Sequence, residues 1–153
     1  MAALPIAGRP LAPIPNFLPA FAAFMRQSIC DVALETDGAF PSVTVRGELD
    51  HLSVARFEAA AEAAGRLDRG VVILSLAEST YFDSLAVHAM MAYRARLESN
   101  RQRSVLVVQE RGTARRILEI VGIIGRVPTF SSAAEALASA PSLSLREGPK
   151  PAP

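Results

Sequence analysis

The spacing of hydrophobic and polar positions changes several times along the chain, which predicts alternating strands and helices. Residues 42–46 alternate β-branched apolar and polar side chains, as in a strand with one covered face. Residues 71–76 are almost continuously apolar, which is typical of a strand covered on both faces. Between these strands, apolar residues recur at helical spacing, and that spacing returns after each later strand. This order predicts a mixed α/β sheet backed by helices.

Five strands and four helices follow from these patterns. The strands are predicted at residues 29–35, 42–46, 71–76, 105–108 and 127–130. The first three helices should face the core through three sets of residues: Val54, Phe57, Ala61 and Ala64; Ala86, Ala89, Met90, Tyr93 and Leu97; and Ala114, Ile117, Leu118 and Val121. Their predicted starts are Asp50 or Ser53, Ser84 and Thr113, with Gly122 ending the third helix; the fourth follows the capping box 132–135 and runs to about Ala140.

Proline placement marks the domain boundaries. Five of the 11 prolines lie in the first nineteen residues and four lie from Pro141 onward. Because proline interrupts regular structure, residues 1–27 and 141–153 are predicted to be tails around a folded domain of residues 28–140. The N-terminal tail is apolar, and two roles for it stay open: it folds back on the domain, or it meets another chain.

The charged residues argue against a nucleic-acid-binding protein. The formal net charge is +1, and every basic residue except Lys150 is an arginine. These arginines are scattered among acids and form no run, whereas binding to phosphates needs clustered cations. We therefore expect no direct contact with nucleic acid.

Few residues are available for metal, disulfide or membrane chemistry. One cysteine, Cys30, and two histidines, His51 and His88, provide neither a disulfide nor a metal cluster. Pro19 interrupts the apolar stretch 17–25, so neither a membrane span nor a signal peptide is expected. The single cysteine suits the reducing cytoplasm, where we expect the protein to act.

Sequence motifs for catalysis or cofactor binding are also missing. The chain has neither a G-x-x-x-x-G-K-[ST] loop nor a G-x-G-x-x-G turn after a strand. Neither histidine comes with an orienting pattern that would make it the base for a serine nucleophile. We expect no cofactor and no enzymatic activity.

Several segments together resemble one known family. The segment 47–51 (GELDH) closes a strand and opens a helix, and 81–84 (YFDS) ends a loop and opens another. With the apolar strand between them, and with 117–123 and 131–137 downstream, they resemble the STAS domain of anti-sigma factor antagonists. The resemblance covers residues 43–138 in the family's order.

This resemblance implies a fold, a partner and a switch. The fold is a mixed β-sheet of four to five strands with helices mainly on one side. The partner is an anti-sigma factor that is also a serine kinase, so that binding releases a sigma factor and regulates bacterial transcription. Phosphorylation of Ser84 would abolish binding, and a phosphatase would restore it. The implied partner-binding residues are Asp50, His51, Asp83, Leu85 and Ala86.

Elementary physics is compatible with a phosphate on Ser84. A helix start presents unpaired N–H groups and the positive end of the helix dipole. The simpler interpretation is that Ser84 only caps the helix. Leu85 and Ala86 stand where the family usually has a small polar residue and a glycine. Two other functions stay open: a STAS subunit of a membrane lipid ABC transport complex, and a phosphorylation-independent STAS sensor.

Overall fold

The computed structural model describes residues 30–144, in which five strands and four helices form one α/β domain. The tail predicted for residues 1–27 lies outside the described residues, as does the tail at 141–153 from residue 145 onward. The strands are β1 (Cys30–Glu35), β2 (Ser42–Leu49), β3 (Val71–Phe82), β4 (Arg103–Val107) and β5 (Thr129–Phe130). The helices are α1 (Val54–Arg66), α2 (Ser84–Ser99), α3 (Thr113–Ile120) and α4 (Ala133–Leu143).

The strands form a single mixed sheet in sequential order, β1-β2-β3-β4-β5. β1 pairs antiparallel with β2, and the remaining neighbours pair in parallel. Each parallel pair needs a crossover, which α1, α2 and α3 provide, and α4 follows the last strand. The predicted mixed sheet is confirmed.

The helices cover the two faces of the sheet unequally. The larger core cluster joins one face to the buried sides of α1, α2 and α3. On the other face, Ala136 and Ala140 of α4 pack against the smaller cluster with Val71, Ile73 and Val105. The expectation of helices mainly on one side is therefore confirmed.

Helices α1 and α2 are joined by a buried tyrosine. The Tyr93 ring meets Phe57 edge to face, with centroids 6.4 Å apart, and its hydroxyl donates to the Ala61 carbonyl. Burial raises the pKa of the Tyr93 hydroxyl, so it stays protonated as a donor. The predicted inward positions of both helices are buried.

Strands β2 and β3 extend further than their sequence patterns predicted. β2 runs on to Leu49 and β3 to Phe82, and these last residues pair with each other. The expectation that Tyr81 and Phe82 end a loop is wrong. The register of β2 against β3 shifts between Thr44 and Arg46 and again after Gly47. These irregularities keep the two strands paired although buried and exposed side chains do not alternate regularly along them.

The last two helices also differ from the prediction at their ends. Val121 lies beyond the end of α3 and is 45% exposed, so its inward placement was wrong; Gly122 follows with φ +74°, which suits a helix stop. α4 continues past Pro141 to Leu143, which packs with Ala140. Pro141 lacks only one N–H donor near the end of the helix, so it does not stop α4. Because Leu143 packs on the smaller core cluster, the helix runs beyond its predicted end at about residue 140.

Neither a membrane-spanning helix nor a cluster of metal ligands is found among residues 30–144. Among the helices within residues 30–144, none is both long and apolar enough to cross a bilayer. The same part of the chain contains no group of three His, Cys, Asp or Glu side chains placed to hold a metal ion.

Candidate functional site

The loops that follow β2 and β3 meet at one edge of the sheet. Parallel strands bring their carboxyl ends together, so the ends of β2 and β3 and the starts of α1 and α2 are neighbours. Leu49 pairs with Phe82, and the Asp83 N–H donates to the Leu49 carbonyl at 3.2 Å. The two segments recognised in the sequence are therefore bonded directly.

Asp83 joins the two loops with both carboxylate oxygens. Oδ1 accepts the Ala86 N–H at 2.8 Å, which caps α2, and Oδ2 accepts the His51 N–H at 2.8 Å. His51 Nδ1 also lies 3.6 Å from Oδ2, but its side chain is 67% exposed. We call this arrangement of Leu49, His51 and Asp83 the Asp83 junction. Since Asp83 is the N-cap, the interpretation of Ser84 as the cap is wrong.

Asp50 organises the turn that leads into α1. Its Oδ1 accepts from the amides of Leu52 at 2.9 Å and Ser53 at 3.1 Å, and the Ser53 hydroxyl is also 3.1 Å away. Desolvation opposes ionisation of Asp50, but these hydrogen bonds outweigh it and lower the carboxyl pKa. Ser53 is the N-cap of α1 by position without bonding the first turn through its side chain.

Ser84 is exposed at the first position of α2. The amides of Ala86 and Val87 are bonded to Asp83, whereas in residues 30–144 no acceptor is paired with the amides of Ser84 or Leu85. Helix starts have such unpaired donors and a positive dipole end, which favour an anion. The surroundings of Ser84 therefore suit an added phosphate chemically.

Apolar side chains flank this polar edge. Leu85 is 47% exposed, and Leu52, in the turn organised by Asp50, is 75% exposed. Ala86 differs, because its methyl group is fully buried in the core below α2. The Ala86 side chain therefore faces the core and not the surface, and partner binding at Ala86 stays a prediction.

The structure brings most of the predicted site residues to one edge. Asp50, His51, Asp83, Ser84 and Leu85 lie in the two bonded loops or the first turn of α2. His51 and Asp83 are separated by 32 positions in the sequence, so only the parallel pairing of β2 and β3 makes them neighbours.

Three other residues have a clear place in or near this edge. Leu52 was not singled out from the sequence, because a single exposed apolar residue is common on protein surfaces and is no signal by itself. Cys30 is buried, as expected for a small apolar residue; burial raises its thiol pKa, and the Ser53 side chain is hydrogen-bonded to it. His88 is exposed on α2.

A protein-family model described as "Mlab, STAS domain" matches residues 32–128, most of the domain. The chain belongs to the STAS domain family. This assigns the sheet, and the loops that meet at the Asp83 junction, to a STAS domain. A comparison with curated proteins finds no match.

Solved structures with the same fold include regulators and a transporter-family protein. An anti-sigma factor antagonist from Mycobacterium paratuberculosis is 19% identical, with a TM-score of 0.65 over 73% of this chain and 94% of its own. The Bacillus cell fate determinant SpoIIAA in its phosphorylated form is 22% identical, with a TM-score of 0.54 over 71% and 97%. A sulfate transporter family protein from Wolinella succinogenes is 20% identical, with a TM-score of 0.52 over 67% and 84%. These likenesses show the STAS fold.

Proposed function

We propose that this STAS domain protein is an anti-sigma factor antagonist that acts by binding and is switched by phosphorylation of Ser84. The observation that carries the proposal is the position of Ser84: exposed, first in α2, and next to the Asp83 that ties the two loops together. Its partner is an anti-sigma factor of the serine-kinase type in the cytoplasm, and a phosphatase reverses the modification. The neighbouring antagonist folds support this assignment.

The switch acts through charge at the partner-binding edge. A phosphate adds about −1.5 to −2 charges beside Asp83, and Asp50 lies in the loop bonded to it. The N-terminus of α2 stabilises this charge within the protein itself. A partner that packs on exposed Leu52 and Leu85 must then desolvate a concentrated anion, which costs binding energy.

The test compares four forms of the full chain by isothermal titration against the purified partner. Unmodified protein and Ser84→Ala should bind alike, because the hydroxyl contributes little area. Protein with phosphoserine at position 84 should bind at least tenfold more weakly, a change of about 1.4 kcal/mol. Asp50→Ala should impair binding or phosphorylation by the kinase.

Phosphoserine at Ser99 provides a matched control. Ser99 is exposed at the opposite end of the same helix, so a phosphate there adds equal charge away from the Asp83 junction. That form should keep its affinity once thermal melting has shown that it is folded. Equal affinity of unmodified protein and protein phosphorylated at Ser84 would contradict the switch.

A second candidate is a STAS subunit of a membrane lipid ABC transport complex. The description of the matching family model, and Leu85 in place of a small polar residue, favour it. The partner would then be a transporter ATPase, bound without a kinase step. Affinity purification with mass spectrometry separates the two: a kinase-like protein supports the switch, and a transporter subunit supports the transport complex.

A further inference from the structure

A groove on the β4–β5 side of the domain is lined by four arginines from four parts of the fold. Arg94 lies on α2, Arg103 on β4, Arg115 on α3 and Arg126 in the segment before β5. The groove has a volume of about 510 Å³, within the range of small-ligand sites. We call it the arginine groove; it shares no residue with the Asp83 junction.

Two of these arginines have weak partners. Arg94 Nε lies 2.8 Å from Glu98, and Arg115 Nε lies 2.9 Å from Glu119, each pair one turn apart on its own helix. Exposed pairs of this spacing contribute little to stability, so an anion in the groove can compete for both guanidinium groups. Of the described residues that line the groove, Glu98 alone is acidic.

The other two arginines, Arg103 and Arg126, have no acidic partner in the part of the chain that the structure describes. Within residues 30–144, neither Arg103 nor Arg126 forms an ion pair. Two of the four guanidinium groups are paired with Glu98 and Glu119, and the other two leave an excess of positive charge in the groove of a protein whose formal net charge is only +1. The mutual repulsion of these cations falls when an anion enters.

The wall of the arginine groove also contains a hydroxyl group, that of Ser104. Ser104 is only 4% exposed and lines the groove. Among the buried side-chain atoms of residues 30–144, only Gln102 Oε1 lacks a hydrogen-bond partner, so the Ser104 hydroxyl is not an unsatisfied buried donor. It lies in the groove wall, where it adds a neutral donor for an oxygen of a ligand.

We propose that the arginine groove binds a phosphate-bearing ligand. The guanidinium group is planar, always charged and weakly hydrated, and its paired N–H groups match two oxygens of a phosphate. Several arginines converging on one concavity can hold the several negative charges of a pyrophosphate or a phosphomonoester. The ligand is either a soluble phosphate compound or the headgroup of an anionic lipid.

Inorganic pyrophosphate is the probe for the groove itself. Titration calorimetry with the full chain at low salt should give saturable one-to-one binding that weakens as salt is added. Arg103→Ala combined with Arg126→Ala should weaken it at least tenfold. Arg126→Ala alone, on an exposed segment that places little demand on folding, should weaken it measurably. Arg111→Ala removes an exposed arginine outside the groove and should leave the affinity unchanged.

Vesicles distinguish the two sources of the phosphate. Co-sedimentation with phosphatidylcholine vesicles, with and without phosphatidic acid, should depend on Arg103 and Arg126 if the ligand is a lipid headgroup. Binding of pyrophosphate but not of vesicles assigns the groove to soluble phosphates. Binding of neither probe, equal losses in the Arg111→Ala control, or stronger binding of an acidic peptide than of pyrophosphate would overturn the proposal.

Discussion

The Asp83 junction and the arginine groove are built by opposite means. At the junction, acidic side chains are satisfied by backbone amides: Asp83 accepts from two and Asp50 from two more. In the groove, the charges are guanidinium groups whose partners are exposed glutamates on the same helix or, within residues 30–144, absent. The junction holds the main chain in place, whereas the groove leaves its charged groups available.

This difference shows that charged side chains can have two roles in one domain: some stabilise the fold, and others are available to bind a ligand. A carboxylate bonded to main-chain amides stabilises a local conformation, and its removal disturbs the fold nearby. A guanidinium paired with an exposed carboxylate contributes little to folding and can exchange its partner. In the proposed function, neighbours of Asp83 such as Ser84 and Leu85 would therefore provide the contact surface for a partner. In the proposed groove site, the arginines themselves would be the binding groups.

The largest expected effect on stability comes from removing the Asp83 side chain. Asp83→Ala removes the cap of α2 and the bond to the His51 amide, so the free energy of unfolding should fall by about 2 kcal/mol. Urea denaturation followed by circular dichroism measures this change. His51→Ala is the matched control, because its amide still donates to Asp83 and only the exposed imidazole is lost.

If Asp83→Ala lowers the free energy of unfolding by less than about 0.5 kcal/mol, its effect is that of an ordinary surface substitution. The carboxylate would then not be what holds the two loops together. An equally large decrease in His51→Ala would instead assign the stability to the imidazole.

Local sequence patterns predicted the core of this fold because each pattern reports on a face of one element. The inward positions of α1 and α2 are all buried, and Ser132 caps α4 by accepting from the Glu135 amide. The Glu135 carboxylate accepts from the Ser131 amide instead of the Ser132 amide of a full capping box. The ends of β2 and β3 were underestimated, since register irregularities break the alternation from which a strand is recognised. At the end of α3, apolar character alone did not distinguish exposed Val121 from the buried positions.

The residues of the Asp83 junction could be predicted from the sequence, whereas those of the arginine groove could not. The family resemblance identified Asp50, Asp83 and Ser84, although the hydrogen bonds to main-chain amides that fix their geometry have no signature in side-chain identity. The arginines of the groove are scattered along the chain and form no run, yet four of them line one groove. Packing of α2, β4 and α3 brings them together, which spacing along a chain does not report.

A smaller effect is expected at Asp50. Asp50→Ala should lower the free energy of unfolding by about 1 kcal/mol, because the turn before α1 loses its acceptor. The folded-state pKa of Asp50 is lowered from 3.8, so its stabilisation is present above that pH and is lost as pH falls through the lower folded value. Urea denaturation between neutral and strongly acidic pH measures both.

Asp50→Asn is the control for charge, because the amide oxygen still accepts from the two backbone amides. This variant should stay close to the original stability at neutral pH and lose less of it on acidification. A pH profile identical to that of the unmodified protein would show that the Asp50 carboxylate contributes nothing to acid sensitivity.

The smallest expected effect on stability comes from Glu98→Ala, which removes a negative charge from the arginine groove. Glu98→Ala frees Arg94 and should change stability by no more than about 0.5 kcal/mol, since the pair is exposed and the acid lies near the unfavourable negative end of α2. Pyrophosphate binding should strengthen, because a negative charge is removed from the groove lining. Glu62→Ala breaks a similar pair with Arg66 on α1, outside the groove, and should leave pyrophosphate binding unchanged. Weaker binding in Glu98→Ala would mean that Glu98 holds Arg94 in position for the ligand, which would contradict the view that Arg94 exchanges its partner freely.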